Sequence, residues 1–185
     1  MRVIAGKYKG RKLKAASKLE IRPATDRVKE TIFNVLQHKL NLEQIRVLDL
    51  FAGTGSLGIE AVSRGAEHVT FVDFSKESIS LIKSNLENLK CTEVCKLIKA
   101  DGLKFIERCD EKFDLIFADP PYAYELTKRI PQIIFEKGLL KESGFLIIEH
   151  SKNYHFDLSE YCIPAIKKEF GNTIVTFFTH TKTEK

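Results

Sequence analysis

Asp119-Pro120-Pro121-Tyr122 is the segment of this sequence with the most specific chemistry. It follows directly on the apolar run 113–118. Consecutive prolines fix φ at about −65° and carry no N–H, and each holds the residue before it extended. The turn therefore presents acceptors only, the Asp119 carboxylate and the Pro120 carbonyl. Two acceptors select a group with two N–H bonds, which is an exocyclic amine. Its lone pair is normally delocalised into the ring. If Asp119 and Pro120 each accept one N–H, the nitrogen is rehybridised and its pair can face an electrophile. Tyr122 offers a face on which a base can stack.

A second motif lies upstream, Asp49-Leu50-Phe51-Ala52-Gly53-Thr54-Gly55-Ser56-Leu57-Gly58. Gly53, Gly55 and Gly58 match G-x-G-x-x-G between a predicted strand and a predicted helix. Such glycines let the backbone turn sharply and come close to a ligand. Asp73 ends the next predicted strand, where a carboxylate can bind two ribose hydroxyls. NAD, FAD and S-adenosylmethionine all fit this much. Asp49, ahead of the glycines, narrows the choice, because a carboxylate there repels a pyrophosphate and attracts an ammonium or sulfonium. Asp101 ends a third strand and can accept an adenine amino group, or cap the helix that follows. Acids at three successive strand ends suit S-adenosylmethionine, which is cationic, better than an anionic dinucleotide.

Around these motifs the chain alternates strand and helix. Short apolar strands are predicted at 46–51, 68–73, 94–100, 113–118 and 144–149. Helices are predicted at 57–64, 76–89, 102–108, 124–137 and 158–162. Strands apolar on both faces and separated by helices imply a parallel α/β sheet. Residues 163–170 and 173–181 flank Gly171-Asn172 and read as an antiparallel hairpin. Residues 2–13 read as two short extended stretches around a turn that ends at Gly10. A helix over 27–39 follows the break at Arg22-Pro23. The domains expected are a basic extension over 1–40 and a catalytic-type unit over 41–185.

Charge is unevenly placed. Residues 1–40 hold eleven Lys/Arg against three Asp/Glu, a net +8, whereas the other 145 residues carry −3. A basic arm on a mildly acidic body is a footprint of a nucleic-acid partner; the plainer reading is a solvated tail. The 185 residues are 43% apolar and 30% charged, which excludes a disordered or fibrous chain. The sequence holds no apolar run of bilayer length and no secretion signal at its start, so a soluble cytoplasmic protein with no membrane partner is expected. Cys91, Cys95, Cys109 and Cys162 read as reduced structural thiols, and no metal site is expected. Nothing argues for an obligate dimer, so a monomer is expected.

Phe51-x-Gly53-x-Gly55 followed by Asp119-Pro120-Pro121-Tyr122 resembles the amino-methyltransferases of nucleic acids. The chain as a whole resembles the bacterial 16S ribosomal RNA guanine-N2 methyltransferases that act at guanine 966. Further matching pieces are Arg2-Val3-Ile4-Ala5-Gly6, Lys9-Gly10-Arg11-Lys12-Leu13 and Arg22-Pro23-Ala24-Thr25-Asp26-Arg27-Val28-Lys29-Glu30. Val47-Leu48-Asp49, Gly58-Ile59-Glu60-Ala61 and Ser63-Arg64-Gly65-Ala66 complete them. The likeness runs to about residue 150, and residues 151–162 lie outside it.

That resemblance implies a Rossmann-like class I methyltransferase fold, a seven-stranded, mostly parallel sheet with an antiparallel last strand and an N-terminal β-hairpin. It implies S-adenosylmethionine as cofactor and 16S ribosomal RNA as partner, within a 30S subunit or an assembly intermediate. Residues 49–55, including Asp49, Phe51, Gly53 and Gly55, would hold the methionine half, Asp73 the ribose and Asp101 the adenine. Asp119, Pro120 and Tyr122 would hold the target guanine. Lys7, Lys9, Arg11, Lys12 and Arg27 would meet RNA. Methylation of a glutamine amide is a rival reading, disfavoured because that family carries Asn at the place of Asp119. N6-adenine methylation of DNA suits the turn equally well and is opposed only by the N-terminal segments.

Overall fold

The computed structural model describes residues 1–15, 26–121, 124–156 and 162–181. The chain alternates β1 (Arg46–Leu50), α2 (Ser56–Ser63), β2 (His68–Asp73), α3 (Lys76–Leu89), β3 (Cys95–Lys99), α4 (Gly102–Arg108) and β4 (Phe113–Ala118). Helix α1 (Asp26–Leu36) precedes them, and α5 (Ile130–Glu136), β5 (Leu140–Ser151), β6 (Cys162–Phe170) and β7 (Thr173–His180) follow. One sheet results, in the order β3-β2-β1-β4-β5-β7-β6. The first five of these are parallel, and β7 runs antiparallel to both β5 and β6. This is the expected class. Reversal of strand order beside β1 opens a crevice at the carboxyl ends of β1 and β4, where ligands bind in such sheets.

Side chains alternate between the two faces of the sheet. Val47, Phe71, Phe117 and Ile147 pack against α1, α2 and α3 through residues such as Phe33, Ile59 and Ile82. Leu48, Val72, Ile116 and Ile148 pack against α4 and α5 through Ile106 and Ile134. Both faces of the central strands are therefore buried, which explains their unbroken apolar runs.

Several boundaries differ from expectation for visible reasons. The helix predicted at 124–137 is a 3₁₀ segment, Glu125–Arg129, followed by α5 with Pro131 in its first turn. The predicted strand 144–149 extends to Leu140–Ser151, because its exposed Lys141-Glu142-Ser143 run hides the beginning. The strand predicted from 94 begins at Cys95, after a 3₁₀ turn over Thr92–Val94. Of the helix predicted at 158–162, residues 158–161 lie outside the described residues, and Cys162 opens β6. The hairpin through Gly171 is as expected.

In the N-terminal arm the expected β-hairpin is short: it has one bridge, Arg2 to Lys12, and the Val3, Gly10 and Leu13 N–H groups donate across it to the Arg11, Val3 and Met1 carbonyls at 3.0, 2.9 and 3.2 Å. Between its two sides the backbone turns to α2. Ile4 and Ala5 donate their N–H groups to the Glu60 carboxylate at 2.7 and 2.9 Å, and the Lys7 N–H reaches the Ser63 carbonyl at 2.7 Å. Gly6 is required there, because a Cβ would lie 1.8 Å from that same carbonyl. Lys29 closes the cluster from α1, with Nζ donating to the Arg2 carbonyl at 2.7 Å and lying 3.9 Å from Glu60. The arm is thus built onto the body and is not a solvated tail.

Candidate active site

The acids at the strand ends converge on one edge of the sheet, each held differently. Asp49 is buried, and its Oδ2 accepts the Gly58 N–H at 2.9 Å. Burial pushes its carboxyl up to about 8, with the Asp73 charge adding and the Gly58 bond opposing. That bond holds the first turn of α2 beneath the glycine loop, and a nearby cation would favour the ionised form of Asp49. Gly58 permits this closeness, since a Cβ there would sit 2.3 Å from the Phe71 ring.

Asp73 ties β2 to the glycine loop. Its Oδ2 accepts the Gly53 N–H at 2.7 Å, and its Oδ1 accepts the Ser75 N–H at 2.8 Å. Phe51, Gly53 and Gly55 all take the left-handed backbone, so the chain doubles back at the head of α2. Asp101 is the cap of α4, accepting the Lys104 N–H at 2.9 Å. The Tyr124 hydroxyl also donates to Asp101, at 3.2 Å, and the Tyr124 ring meets Phe51 edge-on with centroids 5.2 Å apart. Burial and the Asp101 carboxylate push that phenol up to about 12. Asp101 thus caps a helix, and Tyr124 links it to Phe51.

Asp119 continues β4 by one residue, with its N–H 3.5 Å from the Leu50 carbonyl. Desolvation raises its carboxyl well above the usual range, and the Glu149 and Asp49 carboxylates add to the rise. Pro120 is buried. The Pro121 carbonyl accepts the Tyr124 N–H at 2.8 Å. That carbonyl is therefore committed to the turn. Tyr122, expected to stack on the base, lies outside the described residues.

Lys7, Lys9, Arg11 and Lys12 are exposed on the arm, and Arg27 is exposed in the first turn of α1. Arg11 also donates to the Asn88 carbonyl at the end of α3, at 3.1 Å. The returning arm reaches the glycine loop. Buried Asn85 pairs with the Lys14 backbone at 2.8 and 3.2 Å and donates to the Thr54 carbonyl in the glycine loop at 3.5 Å. Basic arm, glycine loop and Asp-Pro-Pro turn are thus parts of one connected structure. The free thiols of Cys91, Cys109 and Cys162 are buried. Among the described residues no helix is long and apolar enough to cross a membrane, and no cluster of His, Cys, Asp and Glu could hold a metal ion.

Four further features of the site have no counterpart in the sequence motifs. Glu149, two residues before the end of β5 and next to Asp119 by the β4–β5 register, comes close to the pattern of acids at strand ends and is open to discovery by extending it. Tyr124 carries no signal beyond its closeness to the turn. Phe74, next to Asp73, is 75% exposed, although an apolar residue after a strand reads as core. Glu60 and Lys29 stand in two of the matching segments, and nothing in either segment reports that they are partners.

Strand order, the antiparallel final strands and the glycine loop at the carboxyl edge define a class I, Rossmann-like methyltransferase fold. The chain belongs to the Cons_hypoth95 family, conserved hypothetical protein 95, whose model matches residues 1–179. A Bacillus subtilis (strain 168) protein named "Putative rRNA methyltransferase YlbH" is 43% identical over 182 residues, covering 96% of this chain and 98% of its own. A Haemophilus influenzae protein named "Ribosomal RNA small subunit methyltransferase D" is 38% identical over 156 residues, covering 83% and 80%. The solved Escherichia coli structure described as "Putative methyltransferase yhhF" superposes with a TM-score of 0.86 at 26% identity, covering 97% of both chains.

Proposed function

We propose that this protein is an S-adenosylmethionine-dependent ribosomal RNA methyltransferase, and that its target is the exocyclic N2 amine of a guanine, position 966, in 16S RNA. The observation that carries this reading is the Asp119-Pro120 turn, continuing β4 beside the glycine loop, with a basic arm fixed to the same body. The names of the curated relatives support ribosomal RNA as substrate. The guanine position rests on the matching segments within residues 2–30.

Residues of the crevice suit the cofactor. Asp73 has each oxygen engaged once by backbone N–H and retains lone pairs for ribose hydroxyls. Exposed Phe74 beside it offers a face to adenine. Asp49 gains its charge most readily next to a cation. When bound, S-adenosylmethionine supplies an electrophilic methyl group. Asp119 and the Pro120 carbonyl then accept the two N–H bonds of the amine and direct its lone pair. Once the nitrogen carries the methyl group its proton is acidic, and Asp119 or water would take it. Alignment of this kind is worth about 7–11 kcal/mol of barrier, so no tuned general base is required. The target base must be unpaired or taken out of its stack.

Incubation with radiolabelled S-adenosylmethionine and unmodified 30S subunits, naked 16S RNA or DNA tests the reading. N2-methylguanosine at a single 16S nucleotide is expected; label in DNA or in glutamine would defeat it.

Two further outcomes are expected. Asp73→Ala should weaken S-adenosylmethionine binding by about 1–3 kcal/mol, the scale of hydrogen bonds to a charged group, and leave RNA affinity nearly unchanged. Calorimetry showing wild-type cofactor affinity in the folded variant would remove Asp73 from the site. Replacing Lys7, Lys9, Arg11 and Lys12 together by Gln should weaken RNA binding and lower its salt slope by about 0.7–0.9 for each phosphate that is no longer neutralised. Unchanged affinity and slope would mean that the arm does not touch RNA.

A further inference from the structure

The end of β5 lies beside the turn that holds the target amine. Ala118 and Ile148 are paired in parallel register, so Asp119 and Glu149 are neighbours one residue further on. Residues paired in this way project to the same face of a sheet. Neither residue is fully buried. A cleft opens there, lined by Pro120, Pro121, Thr127, Glu149 and Tyr154. Its walls are two proline rings and a tyrosine, with a carboxylate at the β5 end. After burial, the Glu149 charge is the largest influence raising the Asp119 carboxyl, in keeping with that register.

From this register and cleft we infer that Glu149 is a specificity-determining residue that accepts the N1–H of the target guanine. The inference rests on the proposed guanine-N2 reaction. Guanine presents two neighbouring donors on its Watson–Crick edge, N1–H and the N2 amine. Adenine presents an acceptor, N1, beside its amine. With Asp119 and the Pro120 carbonyl on the amine, the next acceptor along that edge meets N1–H in guanine and a lone pair in adenine. A carboxylate at that place attracts the first and repels the second. A second amine-holding residue would not explain this, because Asp119 and Pro120 already satisfy both amine hydrogens. Glu149 thus supplies what the Asp-Pro-Pro turn by itself lacks, a distinction between the two aminopurines.

The test uses 16S RNA ligated to carry either guanine or 2-aminopurine at the target. 2-Aminopurine keeps the N2 amine and has a lone pair in place of N1–H. Single-turnover methyl transfer by the wild type should favour guanine by about tenfold to a hundredfold, the worth of one well-formed base-edge contact. Glu149→Ala should bring the two substrates within about threefold of each other, chiefly by losing rate on guanine. Glu149→Gln, closer in shape, keeps a neutral acceptor and should fall between. A wild type indifferent to the two bases would overturn the assignment. So would a Glu149→Ala protein that is slower on both bases with the preference intact, because a merely structural role would do that. Failure of the guanine-N2 reading is seen separately, as absence of N2-methylguanosine from wild-type reactions on unaltered RNA, and it overturns both.

Discussion

Asp119→Ala is expected to lower single-turnover methyl transfer to unmodified 30S subunits by about 10²–10³-fold, the usual cost of removing one preorganised polar group from a reaction centre. Affinities for cofactor and RNA should change far less. The reason lies in what the turn already fixes. Asp119 is an extension of β4, its backbone bound toward Leu50, and Pro120 is buried behind it. The carboxylate therefore meets its partner without reorganising. It is also poorly solvated and crowded by the Glu149 and Asp49 carboxylates. Positively polarised N–H groups relieve that crowding, most of all when the amine becomes cationic in the transition state. Interactions that strengthen along the reaction raise the rate more than the affinity. Asp119→Asn keeps one acceptor and can turn an N–H toward the amine, so it should lose slightly less than Ala. With both ligands saturating, an Asp119→Ala rate within about threefold of wild type, far short of that loss, would show the turn to be structural.

The parts of this fold legible in sequence are those set by local patterning. Strands such as 113–118 are apolar throughout because helices cover both faces, and Asp49, Asp73 and Asp101 stand out as charges where apolar runs end. The Asp-Pro-Pro turn is legible because consecutive prolines leave few backbone choices. What escapes a sequence reading depends on pairings far apart in the chain. Glu149 gains its meaning only from the β4–β5 register, which no local pattern reports. Tyr124 matters because it touches Asp101, 23 positions away. The arm shows the limit most clearly. Its composition reads as a hairpin, which forms, but nothing local reports that the hairpin is also held by bonds to a glutamate some 55 residues further on.

That glutamate carries the second large effect. Glu60→Ala is expected to destabilise the fold by about 3–5 kcal/mol, the cost of removing one member of a buried ion pair. Glu60 and Lys29 are both fully buried. Glu60 accepts from Ile4, Ala5 and the Arg64 Nε, the last at 2.9 Å, and lies beside Lys29. Without the carboxylate, two backbone N–H groups lose their acceptor and the Lys29 ammonium loses its main counter-charge. Burial already pulls the Lys29 pKa down, and Glu60 is the largest influence holding it up. The Lys29 bond to the Arg2 carbonyl should weaken with it, releasing residues 1–14 from α2. RNA affinity should then fall even though no arm cation has been changed, because the cations lose their fixed geometry. Urea unfolding measures the first effect and hydrogen exchange at Ile4 and Ala5 the second. A Glu60→Met, Lys29→Met double variant separates charge from anchorage, since replacing both members of a buried pair by apolar groups costs less than removing one. It should recover much of the stability, while Ile4 and Ala5 remain unprotected. If instead Glu60→Ala costs under about 1 kcal/mol, well below a broken buried pair, and both amides stay protected, then packing of Val3 and Leu13 into the core holds the arm, and the ion pair is incidental to it.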